Sequence, residues 1–180
     1  MMAVRKFHRK ERRVLPMPNL VQAQFPPPNG MSAVAKFYGK FSYNDLSGGN
    51  AVITDSFERD NIITLKNTGG TGLNLQMHRL VAPLFEVCLK DAMARCPKYK
   101  IRMLGGFNVR HMRHDPKMPL SIHSWGAAFD VNWDKNPMGS KLITDLPPEW
   151  VAAFTEQCWN WGGSWKGIFD AMHFQYAIGC

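Results

Sequence analysis

A chain of 180 residues with 45% hydrophobic and 12% aromatic side chains is long enough to bury the core of one domain. It has no apolar run of the roughly 18 residues that a membrane-spanning helix needs. The net charge of +8 is unevenly placed: residues 1–13 carry six Lys or Arg against Glu11 alone, while the other 167 residues carry 16 basic and 13 acidic side chains. The basicity is that of a tail, and a nucleic-acid partner is not expected for the domain.

The chain divides into a basic, proline-rich arm, residues 1–30, and a domain, residues 31–180. Five of the twelve prolines fall in the arm, which ends in Pro26-Pro27-Pro28-Asn29-Gly30. Such a segment favours extended polyproline geometry and builds no core of its own. It reads as a leader, or, where ordered, as a segment docked on its own domain or on a partner. Pro16 and Pro18 interrupt the apolar stretch that a signal peptide would need after its basic start. Synthesis in a cytoplasm is therefore expected. Cys88, Cys96, Cys158 and Cys180 lack CxxC spacing and read as thiols or an incidental pair, not as a disulfide framework or a zinc knuckle.

Ile62–Leu65 is the best early strand candidate. The glycine-rich stretch 67–72 lacks the Lys-Ser/Thr ending of a phosphate loop and reads as a turn. From about Asn74 to Arg95, apolar residues recur at three- and four-residue steps. This predicts an amphipathic helix, with Pro83 marking a kink or a late start. His78 within it reads as structural. Residues 99–107 read as a strand, Gly105-Gly106 as a bend toward Arg110, and His111–Leu120 as a charged, proline-containing surface loop. A second buried strand is expected at 127–132, a helix at 148–161 with Pro148 in its first turn, and a closing strand at 168–177. The order predicts an α+β domain with one long helix packed on a mostly antiparallel sheet.

Two stretches carry the chemistry. Ser121-Ile122-His123-Ser124-Trp125-Gly126-Ala127-Ala128-Phe129-Asp130 and Asp170-Ala171-Met172-His173-Phe174-Gln175 place two histidines and two carboxylates among apolar and small residues. Three protein ligands from His and Asp, with a fourth position left for water, is the pattern of a catalytic zinc site. His123, Asp130 and His173 are the ligands favoured here. In a strand over 127–131, Asp130 shares a face with Ala128 while Phe129 points into the core. In the last strand His173 and Gln175 share one face and Phe174 takes the other. Asp170, three residues before His173, cannot share that face in a straight strand. It is expected in the preceding turn, as a base rather than a ligand. Arg110, after the glycine bend, is the candidate for stabilising an oxyanion, and Ser121 for bonding a ligand or the substrate. On the residues alone His111 and His114 remain alternative ligands, ranked lower because their loop reads as solvated.

The pattern Leu120-Ser121-x-His123-x-x-Gly126-x-Ala128-x-Asp130 followed by Asp170-x-Met172-His173-Phe174 resembles the zinc D-alanyl-D-alanine carboxypeptidase and L-alanyl-D-glutamate peptidase family. Gly106-Phe107-Asn108-Val109-Arg110 is similar to that family's upstream arginine motif, and Asn136-Pro137 to the loop that follows its Asp. The resemblance covers roughly residues 60–178. It implies a fold of the Hedgehog/DD-peptidase type, Zn2+ held by His123, Asp130 and His173, Asp170 as acid/base, Arg110 as carbonyl or transition-state stabiliser, and peptidoglycan stem peptides as substrate. Many members have Glu at the positions of Asp170 and Gln175, and the arm has no counterpart.

The first expectation is a phage-encoded cell-wall metallopeptidase, either a lysis enzyme or a virion-borne one acting at the bacterial wall. The second is a structural phage tail or baseplate component that keeps the fold. In either setting the arm, residues 1–30, is a candidate for contact with phage tail proteins. A third reading makes the arm a nucleic-acid binder, but with Phe7 as its lone aromatic among residues 1–13 any binding is expected to be electrostatic and salt-sensitive.

Overall fold

The computed structural model describes residues 25–180. The arm assigned to residues 1–30 therefore lies mostly outside the described residues. Its last part, Phe25–Gly30, lies against the C-terminal end of the chain: Tyr176 donates to the Phe25 carbonyl at 2.6 Å, and Gly30 N–H to the Ile178 carbonyl at 2.8 Å.

In chain order the elements are α1 (Met31–Tyr38), β1 (Tyr43–Asp45), β2 (Ala51–Ile53), α2 (Phe57–Asn61), β3 (Ile62–Leu65), β4 (Leu75–His78) and α3 (Ala82–Arg95). There follow β5 (Leu104–Gly105), β6 (Ala128–Val131), β7 (Met138–Gly139), α4 (Pro148–Thr155), β8 (Asn160–Trp161), β9 (Phe169–Asp170) and β10 (His173–Gln175). This is an α+β fold of short antiparallel sheets. The central one has the order β5-β6-β10-β8, and β1-β2, β3-β4 and β7-β9 form two-stranded ribbons around it.

The register of the central sheet separates packing from chemistry. Phe174 pairs with Phe129 and Trp161, and Leu104 with Val131, so these side chains share one face. Phe129 and Phe174 stack with ring centroids 5.1 Å apart, and Phe85 of α3 and Phe154 of α4 close over Phe129 at 4.8 and 4.9 Å. Full burial of each such ring contributes roughly 1.5–3 kcal/mol. On the opposite face His173 pairs with Asp130, Gln175 with Ala128 and Asn160, and Gly105 with Asp130. One face is oil, the other is the site.

Several elements differ from the sequence-based expectation. The helix expected from about Asn74, with Pro83 as a kink or a late start, takes the late start: it begins at Ala82 with Pro83 in its first turn. Residues 75–78 instead form β4, where buried Leu75 and Met77 flank exposed Gln76 with the period of a strand. The strand expected over 99–107 shortens to Leu104–Gly105. The reason is Asn132, whose Oδ1 accepts from the N–H groups of Arg102 and Met103 at 2.7 and 3.1 Å and so takes the place of a ladder partner. The closing strand is broken into β9 and β10 by the turn at Ala171-Met172, and α4 ends at Thr155 rather than Trp161. Helix α1 was not anticipated. It docks through buried Val34 and Tyr38, whose hydroxyl donates to the Tyr176 carbonyl at 2.7 Å. Among the described residues no helix is long and apolar enough to cross a membrane.

His78 is structural, and it sets a pH dependence. Leu80 N–H donates to its Nδ1 at 3.2 Å, so Nε2 carries the proton and donates to the Tyr38 carbonyl at 3.0 Å. Protonating Nδ1 would break the first bond. Burial, the largest influence, pulls the imidazole down from 6.5 to about 4. The unfolded chain thus binds the proton first, and the stability that neutral His78 contributes is full above pH 6.5 and lost as the pH falls toward 4. The expected loss is on the order of 3 kcal/mol. Denaturant unfolding of wild type and His78→Gln should show their stability difference shrinking over that window; a constant difference would contradict it.

Candidate metal centre and catalytic cleft

The centre is assembled from three segments. The 3-10 turn Ile122–Trp125 starts at Ser121, whose Oγ accepts from His123 N–H at 3.4 Å, and ends at Gly126 in the left-handed region, φ 66°. A side chain on Gly126 would have its Cβ 2.7 Å from His78 N, so only glycine lets this turn lie on β4. Asp130 follows on β6 and His173 sits opposite it on β10.

One ligand atom from each of His123, Asp130 and His173 lies within 4.8 Å of the other two. His123 Nδ1 is 2.7 Å from the Gly106 carbonyl, which can only accept, so Nδ1 holds the proton and Nε2 presents a lone pair. His173 Nε2 faces Gln175 Oε1 at 3.0 Å, and Gln175 Nε2 donates to the Ala177 carbonyl at 3.2 Å, which fixes the amide with its oxygen toward the ring. His173 Nδ1 is therefore the inward lone pair. The three inward atoms are 3.1 Å (His123 Nε2 to His173 Nδ1), 3.0 Å (His173 Nδ1 to Asp130 Oδ1) and 3.3 Å (His123 Nε2 to Asp130 Oδ2) apart.

Three acceptors facing one another require a cation between them, either protons on the rings or a metal ion. Tetrahedral zinc with bonds of about 2.0–2.2 Å places its ligand atoms roughly 3.3–3.6 Å apart. The triad stands within a few tenths of an ångström of that edge, and its second nitrogens are already committed to acceptors, as metal-binding histidines require. The donor set fits zinc. Burial would raise the Asp130 carboxyl, but the His123 and His173 imidazoles outweigh it and hold it well below the usual range. Burial would lower His173, and the Asp130 carboxylate reverses this, so the ring is raised.

Asp170 is not within the triad. It ends β9, paired with Met138 of β7, immediately before the turn rather than in it. Its Oδ1 is buried without a hydrogen-bond partner, and burial raises its carboxyl. Asp170 lines the same cleft of about 480 Å³ as Asp130, His173, Gln175, Ser121 and Arg110. A second cleft of about 450 Å³ reaches His123, Asp130 and Arg110 from another side. The Arg110 backbone is clamped by buried Ser124, whose Oγ accepts from Arg110 N–H at 3.1 Å and donates to its carbonyl at 3.0 Å.

His111 and His114 stay outside the triad. The His111 ring is buried and bonded to Asp45 Oδ1 at 2.8 Å and the Met118 carbonyl at 2.5 Å, whereas His114 is exposed at the rim of both clefts. Three contributors escaped the sequence reading. The Gly106 carbonyl and the Ser124 hydroxyl carry no metal or catalytic signature. Trp165, with its ring centroid 5.4 Å from that of His173 and its Nε1 bonded to Asn160 Oδ1 at 3.1 Å, walls the cleft.

Gln175 gives a direct check on this reading. Gln175→Ala removes the acceptor for His173 Nε2–H and should weaken zinc binding about 10–100-fold, whereas Gln175→Glu should retain it. Competition with a chromogenic chelator measures both; unchanged affinity in Gln175→Ala would contradict the orientation argued above.

No curated protein and no solved structure matches the chain. Residues 114–176 match the model of a family described as D-alanyl-D-alanine carboxypeptidase, over a segment that contains His123, Asp130, Asp170, His173 and Gln175 but begins after Arg110.

Proposed function

We propose that the chain is a zinc metallopeptidase that hydrolyses a peptide bond in peptidoglycan stem peptides, with His123, Asp130 and His173 as ligands. The observation that carries this is the convergence of two imidazole lone pairs and a carboxylate beside an orphaned, raised carboxyl in a cleft. The family match over residues 114–176 supports the peptide-hydrolase class.

When bound in the triad, zinc supplies a Lewis acid that polarises the scissile carbonyl and makes water acidic enough to ionise near neutral pH. The chain's own residues do the rest. Asp170 accepts the proton of the attacking water as its oxygen adds to the carbonyl carbon, then delivers that proton to the amine as the C–N bond breaks. A carboxyl raised by burial suits both halves of that transfer. Arg110 places its charge where the oxyanion develops, with its backbone fixed by Ser124. Gly106 and Gln175 hold the two rings in the tautomers that bind, and Trp165 keeps bulk water off His173. The setting proposed is that of a phage lysin or a virion-borne peptidase, in keeping with the motif resemblance and the small single domain.

Digestion of purified peptidoglycan, with mass spectrometry of the fragments, tests the reading. New amines that vanish with a chelator and in Asp170→Ala are expected, and the fragment masses name the bond. Intact peptidoglycan beside a zinc-loaded protein would instead favour the structural tail component.

A further inference from the structure

The loop His111–Leu120 is held over the cleft in a costly conformation. Arg113 and His114 are consecutive non-glycine residues in the left-handed region, each with φ 55°. Neighbouring structure enforces this. His111 is pinned through both ring nitrogens to Asp45 and the Met118 carbonyl, and its N–H donates to the Gly49 carbonyl at 2.8 Å. Gly49 lies so close beneath His114 that a Cβ there would be 2.2 Å from the His114 carbonyl. Met112 N–H closes the loop onto the Pro119 carbonyl at 2.9 Å.

The result is a cationic wall. Arg113 lines the cleft that holds Asp170 and His173, as do Arg110 and, from a different loop, Lys166. Among the described residues none of these three cations has an ion-pair partner, although Arg59, Arg95 and Arg102 all do. The acids that share the cleft, Asp130 and Asp170, are committed to the triad and to proton transfer in the function proposed above. Arg113 and Lys166 are exposed at the lip of the cleft, and unpaired cations there attract an anion brought by the substrate.

We propose that Arg113 and Lys166 form an anion subsite that binds a carboxylate of the peptide substrate away from the scissile bond. The subsite rests on the peptidase reading and makes the preferred substrate an acidic peptide. Because it holds ground state and transition state alike, it acts on KM more than on kcat.

The test compares a synthetic stem peptide with free carboxylates against the same peptide with every carboxylate converted to a carboxamide. Full-length wild type is expected to favour the acid by about 10-fold or more in KM, the size of a lost charge-assisted hydrogen bond. Arg113→Asn, a residue that tolerates the left-handed conformation, should remove most of that preference with kcat little changed, and Arg113→Lys should restore part of it. Lys166→Gln should act in the same direction. If neither peptide is cleaved, equilibrium binding to the Asp170→Asn chain reads the same preference, so failure of catalysis and failure of the subsite are told apart. Equal treatment of acid and amide, a preference that survives Arg113→Asn and Lys166→Gln, or no binding of either peptide overturns the proposal.

Discussion

Asp170→Asn is expected to lower kcat by about 10²–10⁴-fold while zinc content stays at that of wild type. The substitution keeps size and shape, so β9 and its pairing with β7 should persist. What it removes is a group able to take a proton and return it. The Asp170 Oδ1 is buried and unpartnered, an arrangement that costs stability in a resting protein and is therefore informative about role. Asp170 supplies none of the three inward-facing ligand atoms, so metal affinity should change little. Rate and metal content measured on the same sample separate the two roles. Loss of zinc together with activity would show that Asp170 is a ligand, and full activity in Asp170→Asn would remove it from the mechanism.

Gly106→Ala should damage the centre without touching any ligand side chain. A Cβ on Gly106 would fall 2.2 Å from the Gln76 carbonyl oxygen and 2.8 Å from Leu75 Cδ1. The first obstacle is backbone, so the 105–107 segment must move. That movement breaks the Phe107 N–H bond to the Gln76 carbonyl, 2.8 Å, and draws the Gly106 carbonyl from His123 Nδ1. The expected cost is about 1–3 kcal/mol of stability, as for overpacking. The loss of ring orientation should weaken zinc binding a further 10–100-fold or so. Gly105→Ala is the control, since a Cβ there meets nothing closer than Trp133 at 3.7 Å. Denaturant unfolding and chelator competition on the two variants should diverge sharply; similar behaviour would mean that Gly106 does not hold the ring.

The legible part of the site was the part written in side-chain periodicity. Asp130 with Ala128, His173 with Gln175, and the two phenylalanines opposite follow from the two-residue repeat of a strand. The register that sets His173 directly across from Asp130 is a property of the ladder, which no single segment encodes. Backbone contributions were invisible for a similar reason: the Gly106 carbonyl looks like any other in sequence. Pro83 marked the late helix start, but the strand at 75–78 was absorbed into the helical pattern because Met77, Leu80, Val81 and Leu84 fit helical steps as well as they fit a strand followed by a turn. Position-specific pairing decided it, through the register of Met77 with Ile63. The loop at 111–120 was read correctly as a loop and incorrectly as wholly solvated, since His111 is 5% exposed and carries the contacts that hold Arg113 and His114 at the cleft. Those contacts come from Asp45 and Gly49, far away in the chain, where composition gives no warning.

The most direct measurement is calorimetric titration of Zn2+ into chelator-treated protein near neutral pH, on wild type and on His123→Ala, Asp130→Ala and His173→Ala. The account predicts about one ion per chain in wild type and an affinity lower by several orders of magnitude in each variant, because each removes one of three ligands. Because the ligand atoms must be deprotonated to bind the ion, the affinity in wild type should fall as the pH is lowered. Absence of binding in wild type, or binding that survives all three substitutions, would contradict the central claim that these residues form a metal centre.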